Sequence, residues 1–413
     1  MEDFGKTAKG TPVKKITIRP KLPKKLATGD DREVWSGVRA VFLNYGAVLH
    51  QLWIPGHTDT NGKKTTSLTL ADVVLGYPDV SGYEINKPFH GAIVGRVAGR
   101  ISNARLCIPY ELDPSMNGFY RLTDNMKKLH CHHGGTFGLS KRTWEILELK
   151  SDSVKFKIFS PDGDEGFPGN LTVYVTYRIT VNSEEKIELS IDYFASVAGG
   201  ITPLSLTNHT YYNLAGHLAG PEALDRHIAC IAADRLLETE GDLIPTGRIQ
   251  RVEEVDGADL RKPVSLKDGL QKIQPAPFQG YDEYYIFNQI PPDEAKVTVS
   301  EPNSGRRVEA FSDQLGVQFY TGNCLEPKTD PPNSGRRVEA FSDQLGVQFY
   351  TGNCLEPKTD PVGKDGYSYP QHSGFCIELH GFPDAVNKPN FPQCFIIPNG
   401  KPYTQKSKYV FSF

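Results

Sequence analysis

The sequence predicts an all-β fold, a sandwich or a barrel, on three observations. Short apolar runs alternate with polar residues at period two, the spacing of a strand with one buried face. Turn formers interrupt these runs throughout, with 39 glycines and 30 prolines in 413 residues. No long segment carries apolar residues at i, i+3, i+4 and i+7, so an extended amphipathic helix is not expected.

Taken in order, residues 1–32 read as a polar leader without defined structure, with Lys14, Lys15, Arg19, Lys21, Lys24 and Lys25 gathered in it. No aromatic residues interleave these cations, so a nucleic-acid arm is not expected. From Val38 the texture changes. Ala40-Val41-Phe42-Leu43 runs into Tyr45-Gly46, and Val48 to Ile54 is stopped by Pro55-Gly56. The clearest hairpin is Leu171 to Thr180 followed by Lys186 to Ala195. Leu171, Val173, Val175 and Tyr177 share one face, Ile187, Leu189, Ile191 and Tyr193 do the same, and Asn182-Ser183-Glu184-Glu185 makes the turn. Only Ser265 to Ile273 hints at a short helix, with Leu266, Leu270 and Ile273 on one face and Ser265 as N-cap. No linker-like composition interrupts the chain beyond the leader, so residues 33–413 are expected to form one domain.

One feature is unusual. Residues 302–331 and 332–361 are identical at all 30 positions. Architectural repeats diverge and need three or more units to bury a core. An identical pair occurring once points to a recent duplication or a faulty gene model.

Composition narrows the function classes. Hydrophobic content of 38%, charged content of 23% and a net charge of -3 describe a globular protein with no pull toward nucleic acid or an anionic membrane. No apolar run reaches membrane-spanning length, and Met1-Glu2-Asp3-Phe4 does not open a signal peptide. Seven scattered cysteines without CxxC spacing favour free thiols in a reducing compartment, so a cytoplasmic monomer is expected.

The run Thr202 to Leu206 reads as a strand leading into Thr207-Asn208-His209-Thr210-Tyr211-Tyr212. Period two places His209 on the face of Ser205 and Thr207, opposite Leu204, Leu206 and Asn208. An imidazole there can exchange a proton near neutral pH; a hydrogen-bonded structural histidine is the plainer reading. Phe375 to His380 is a second strand, with Phe375, Ile377 and Leu379 on the buried face and Cys376, Glu378 and His380 on the other. Leu129-His130-Cys131-His132-His133-Gly134-Gly135 is too tight for a shared tetrahedral metal site, because neighbours on an extended chain point opposite ways, so no metal is expected. The glycine pair instead implies a backbone approached closely. Gly95 to Arg100 lacks dinucleotide and P-loop spacings, and its arginines serve either a ligand or the fold. Gly280-Tyr281-Asp282-Glu283-Tyr284-Tyr285 sets acids among aromatics, a combination suited to sugars.

Together and in this order, these segments resemble the aldose 1-epimerase family, the galactose mutarotases, from about Val41 to Phe413. The resemblance rests on GRVAGRI (95–101), HGG (133–135), SPDGDEGFPGNL (160–171), TNHTYYNLAG (207–216), LIPTG (243–247), DLRKPV (259–264), GYDEYY (280–285), GVQFYTGN (316–323 and 346–353) and HSGFCIELHGFPDAVN (372–387). It implies a large antiparallel β-sandwich with few short helices, a small-molecule sugar in an open cleft, and no cofactor. It implies that Glu378 is the catalytic base, His209 the acid and His133 a second active-site histidine. Arg100, Asp282 and one of Gln318 and Gln348 would bind the sugar. Gly99 departs from the family, which usually has asparagine before the arginine.

On this reading the enzyme interconverts α and β anomers of aldoses such as galactose and glucose by acid–base ring opening and closure. A bell-shaped pH–rate profile is expected, with Asp282 favouring a charged His209. The alternatives are a non-catalytic sugar-binding or regulatory protein on the same scaffold, and an epimerase for a phosphorylated hexose that would place cations such as Arg96 or Arg261 over the cleft.

Overall fold

The computed structural model describes residues 1–114, 119–273, 280–291, 293–323 and 361–413. Its backbone is set by the hairpin that the alternation predicts. Asn170–Val181 pairs antiparallel with Ile187–Ala198 along all twelve residues, Leu171 facing Val197 and Tyr177 facing Ile191. Leu171, Val173, Val175 and Tyr177 are fully buried, as are Ile187, Leu189 and Ile191.

This hairpin lies inside a nine-stranded sheet. Its order is Glu145–Leu149, Ser153–Ser160, Asn170–Val181, Ile187–Ala198, Tyr403–Ser412, Arg307–Ser312, Val297–Ser300, Ile228–Ile231 and Val264–Ser265. A six-stranded sheet packs against it, ordered Tyr211–Tyr212, Phe375–His380, Gly316–Tyr320, Asp282–Ile286, Arg235–Thr239 and Pro245–Arg251. Val173, Val175, Ile191 and Tyr409 of the first sheet share one core with Val317, Phe319, Phe375 and Ile377 of the second. The fold is therefore a large antiparallel β-sandwich. The predicted short helix is Leu266–Lys272; Ser265 precedes it but makes no side-chain capping bond. Among the described residues no helix is long and apolar enough to cross a membrane.

Residues 1–32 differ from the expected leader. Glu2–Lys6 and Pro12–Ile18 are strands, and the second pairs with Arg39–Leu43 in a five-stranded sheet. Val13, Ile16 and Ile18 are buried, while Lys15 lies 2.9 Å from Glu2 and Lys14 pairs with Asp3. Lysine density hid a strand because its charges are neutralised by the adjacent strand and only three apolar side chains face inward. The stretch from Thr202 also differs. It switches partners: Thr202–Pro203 pairs with Phe395–Ile396, Thr207–Asn208 with Ile93–Val94, and Tyr211–Tyr212 with Phe375–Cys376. His209 lies between two of these short pairings rather than at the end of a continuous strand.

The first copy of the duplicated stretch contributes to both sheets. Arg307–Ser312 completes the nine-stranded sheet and Gly316–Tyr320 the six-stranded one. Buried Arg306 anchors it, donating to Pro55 O, Thr58 O, Thr58 Oγ1 and Leu214 O at 2.7–2.9 Å. Glu301, immediately before this copy, accepts from Ser304 N at 2.7 Å and Arg226 Nε at 3.0 Å. The second copy is preceded by Pro331, which has no carboxylate to offer.

Candidate active site

A cleft of about 710 Å³ lies over the six-stranded sheet and is lined by Arg100, His133, His209, Asp282, Gln318 and Glu378. Gln348 lies outside the described residues.

Period two positions the floor. Phe375, Ile377 and Leu379 point into the sandwich, so Cys376, Glu378 and His380 point to the cleft side, where they are buried rather than solvated. Two side chains from the opposite sheet hold this strand from behind, Tyr409 Oη donating to Ile377 O at 2.9 Å and Gln405 Nε2 to Leu379 O at 2.8 Å. Strand register then aligns Glu378 with Gln318 and Gln318 with Tyr284. Gln318 Nε2 donates to Asp282 Oδ1 at 2.7 Å, and Arg100 Nη2 lies 3.8 Å from Asp282 Oδ2. Among the described residues Arg100 Nε and Glu378 Oε2 are buried without a protein hydrogen bond. Those two atoms remain available to a polar ligand.

The polar residues around His209 hold its backbone in place. Asn208 Nδ2 donates to Gly91 O at 2.9 Å, and Thr210 Oγ1 to Asn208 Oδ1 at 2.5 Å. His209 N donates to Ala92 O, and Gly91 N to His209 O, both at 2.9 Å. The ring is thereby set with Nε2 3.4 Å from Glu378 Oε1.

His133 stands on a tight turn at φ 49°. A Cβ on Gly134 would lie 1.9 Å from Gly95 O, so glycine is required there. Glu165, from the 160–171 motif, accepts from Thr136 N and Phe137 N at 2.9 and 3.0 Å and fixes the loop that follows. His133 Nδ1 accepts Gly99 N–H at 3.2 Å, so the neutral ring carries its proton on Nε2 and is a donor. His133, His209 and Glu378 have ligand atoms within 4.8 Å of one another, a spacing compatible with a metal. The His133 hydrogen bonding does not fit one, since Nδ1 is occupied and Nε2 is protonated.

Burial dominates the electrostatics. It pushes the His209 imidazole down to about 3, and it holds the Glu378 carboxyl well above its usual range, with Asp282 adding to the rise and Arg100 opposing it. Burial likewise raises Asp282, offset by Arg100 and by the Gln318 hydrogen bond. Asp282 therefore acts on Glu378, and burial of His209 opposes the charged form that the sequence led us to expect. At 3.4 Å the carboxyl and the imidazole titrate as a pair rather than independently.

Several wall residues escaped the sequence reading. The Phe89 ring centroid lies 4.7 Å from His133 and 6.0 Å from His209. Lys141 Nζ donates to Ile85 O at 2.7 Å and Asn86 O at 3.0 Å, holding the segment that carries Phe89. Neither belongs to a local motif. Arg96 proves structural: its guanidinium is buried on Pro168 O, Ser160 O, Pro161 O and the hydroxyls of Ser160 and Thr202. Arg261 is paired with Asp259 and Glu253. Neither offers the cleft a phosphate contact.

The family profile described as Aldose 1-epimerase matches residues 35–330 and 328–410. The chain belongs to the aldose 1-epimerase family. The chain is 36% identical over 342 residues to the galactose mutarotase of Rattus norvegicus, spanning 83% of this chain and 84% of that one. It is 29% identical over 383 residues to the aldose 1-epimerase of Escherichia coli (strain K12), spanning 91% and 92%. The crystal structure of the GalM/aldose epimerase homologue from C. elegans superposes with a TM-score of 0.73 at 26% identity, over 97% of this chain and 99% of that one. The profile's two matched pieces meet at 328–330 in this aldose 1-epimerase, within the duplicated stretch. Gly99, at φ 75°, has Pro383 Cβ 3.2 Å from where its own Cβ would stand.

Proposed function

We propose that Glu378 and His209 are the base and acid with which this aldose 1-epimerase interconverts the α and β anomers of free aldoses such as galactose and glucose. The observation that carries the assignment is the 3.4 Å contact between Glu378 Oε1 and His209 Nε2. The hydroxyl oxygen and the ring oxygen of a pyranose are both bonded to C1, so a base for one and an acid for the other must sit side by side.

Glu378 removes the C1 hydroxyl proton as the C1–O5 bond breaks and His209 Nε2 gives a proton to O5. The product is the open-chain aldehyde. After rotation about C1–C2, O5 attacks the opposite face, His209 recovers its proton from O5, and Glu378 returns one to O1. His133 Nε2–H supports the ring-oxygen side. Arg100, Asp282 and Gln318 bind the remaining hydroxyls as one hydrogen-bonded group, with Asp282 accepting and Arg100 donating. The enzyme's position as a cytoplasmic monomer is likewise proposed, supported by the free thiols at Cys107, Cys131, Cys230, Cys376 and Cys394.

Polarimetry on fresh α-D-galactose tests the assignment, with the full chain beside Glu378→Ala. Faster relaxation of optical rotation by the parent alone supports it; equal acceleration by both removes Glu378 from the chemistry.

The pH dependence follows from the shared proton. The active pair carries one proton, so a second proton at low pH and the loss of the first at high pH both abolish activity. Because burial lowers His209 to about 3 and raises Glu378, the two limbs move apart. The expected kcat/KM profile is a widened bell whose acid limb lies well below the ordinary histidine range. An acid limb centred near the ordinary histidine value of about 6.5 would contradict the shared-proton description.

A further inference from the structure

His380 ends the strand that carries Glu378, two residues further along the same face, and ring opening and closure give it no part. It lines the cleft, yet the residue is only 1% exposed. Its Nδ1 lies 2.6 Å from Gly381 O. A carbonyl only accepts, so Nδ1 carries the hydrogen and the neutral ring keeps a lone pair on Nε2. Burial pushes this imidazole down to about 4, so it is neutral at neutral pH. Nε2 makes no hydrogen bond among the described residues.

The sheet fixes this ring and sets it apart from the other polar groups of the cleft. Register puts Asp282 level with Tyr320 and Tyr320 level with Cys376, so Asp282 stands on one side of Glu378 and His380 on the other. Gly316 pairs with His380 on the neighbouring strand, and a Cβ there would lie 2.7 Å from Tyr284 Cε1. The tyrosine ring crosses the space that a side chain would fill. Its Oη donates to His380 O at 2.6 Å, and its centroid stands 5.3 Å from that of the imidazole. Tyr284 thus holds the histidine by both backbone and ring, with its own hydroxyl already used. Gly316 and the cleft-lining Gly99 bring no polar side chain, and Nε2 is left as an acceptor.

We infer that His380 is a substrate-binding residue whose Nε2 accepts a hydrogen bond from a ring hydroxyl of the aldose that reacts at Glu378. This rests on the mutarotase reading of the site. Two residues along a strand span about 7 Å, a separation that one pyranose ring bridges. The neutral lone pair also sets the chemical class of what it takes. A hydroxyl can donate to it, whereas an ionised phosphate or carboxylate has only acceptors and would be left facing another acceptor. His380 therefore favours an aldose that is neither phosphorylated nor oxidised at the position it meets.

Two polar variants of the full chain separate the two nitrogens. Asparagine places its amide near Nδ1 and can still serve Gly381 O, but it does not reach the place of Nε2. Glutamine carries an amide oxygen to that place. His380→Asn is expected to raise KM for D-galactose on the order of tenfold in polarimetry, with kcat within about threefold. His380→Gln is expected to keep KM within about threefold of the parent. A purely structural role for the Nδ1 bond predicts the reverse order. Parental KM in His380→Asn, or a rise in His380→Gln as large as tenfold, overturns the inference, and the glutamine arm alone suffices should the asparagine variant fail to fold. Titrating D-galactose into the parent labelled with 15N-histidine reads the contact without turnover. The His380 Nε2 signal, identified by its loss in either variant, is expected to move as it accepts the hydroxyl; a signal unmoved at saturating galactose overturns the inference equally. A parent that does not accelerate mutarotation refutes the functional reading separately, because the nitrogen spectrum still tests the His380 contact.

Discussion

Glu378→Gln is expected to lower kcat by about 10³-fold while KM stays within a few-fold, measured by polarimetry on fresh α-D-galactose. Glutamine keeps the shape of the side chain and can still hydrogen-bond a sugar hydroxyl, so binding survives. It cannot take a proton, and proton removal from O1 is what starts ring opening. His209→Asn is expected to produce a comparable loss. On the proposed assignment the two groups, 3.4 Å apart, act on one proton, so the double variant is expected to be no worse than the poorer single one. Multiplying losses would show that the residues act in independent steps.

The largest expected effect on stability comes from Lys364→Met, a loss of about 3–5 kcal/mol in urea denaturation. Lys364 Nζ is buried and donates to Asp72 Oδ2 at 2.5 Å, Val74 O at 2.5 Å and His50 O at 3.0 Å. Asp72 is fully buried and also accepts from Leu52 N and Val74 N. Removing the ammonium leaves this carboxylate without its counter-charge in a site where burial already raises its pKa. The sign is fixed by that rise. Above the folded pKa the unpaired carboxylate is charged and disfavoured in the folded chain, so the loss is greatest at neutral and alkaline pH and shrinks on acidification. Adding Asp72→Asn is expected to recover much of it. A single variant as stable as the parent would mean that the pair is not a structural clamp.

Much of the fold was legible where strands are long and neighbours in sequence. Leu171 to Tyr177 and Ile187 to Tyr193 announce a buried face by alternation, and a polar four-residue turn joins them. The sheet under the cleft could not be read that way. Phe375–His380 pairs with Gly316–Tyr320, and no local pattern states that register. The Lys-rich opening misled because charge density was read as solvation, while Ile16 and Ile18 needed only the strand Arg39–Leu43 to be buried. In the site, residues embedded in motifs were visible: Arg100, His133, His209, Asp282, Gln318 and Glu378 line one cleft. Phe89 and Lys141 were not, since Phe89 meets His133 and His209, and Lys141 holds the segment that carries Phe89, across large separations in sequence. The charge state of His209 was misjudged for a different reason. A sequence shows which charges are present but not how dry their surroundings are, and burial outweighs Asp282 here.

The clamp at Lys364 has a counterpart just before residue 324. Thr321 Oγ1 donates to Asn323 Oδ1 at 2.7 Å, Asn323 Nδ2 donates to Tyr281 O at 3.1 Å, and Gln371 Nε2 reaches Asn323 O at 2.9 Å. Each border of the connection is thus fastened by its own buried contacts, and neither depends on how many residues lie between. Closure entropy for a connection of about 37 residues rather than about 7 differs by only about 1.5 kcal/mol. Removing 30 residues, which yields the same protein whichever copy is deleted, is expected to raise unfolding stability by about that amount and leave kcat unchanged. A less stable deletion product would refute this. The border between Asn323 and Val362 is then a natural splice point, where foreign sequence such as a tag, a reporter or a second binding module can be carried with the cleft intact.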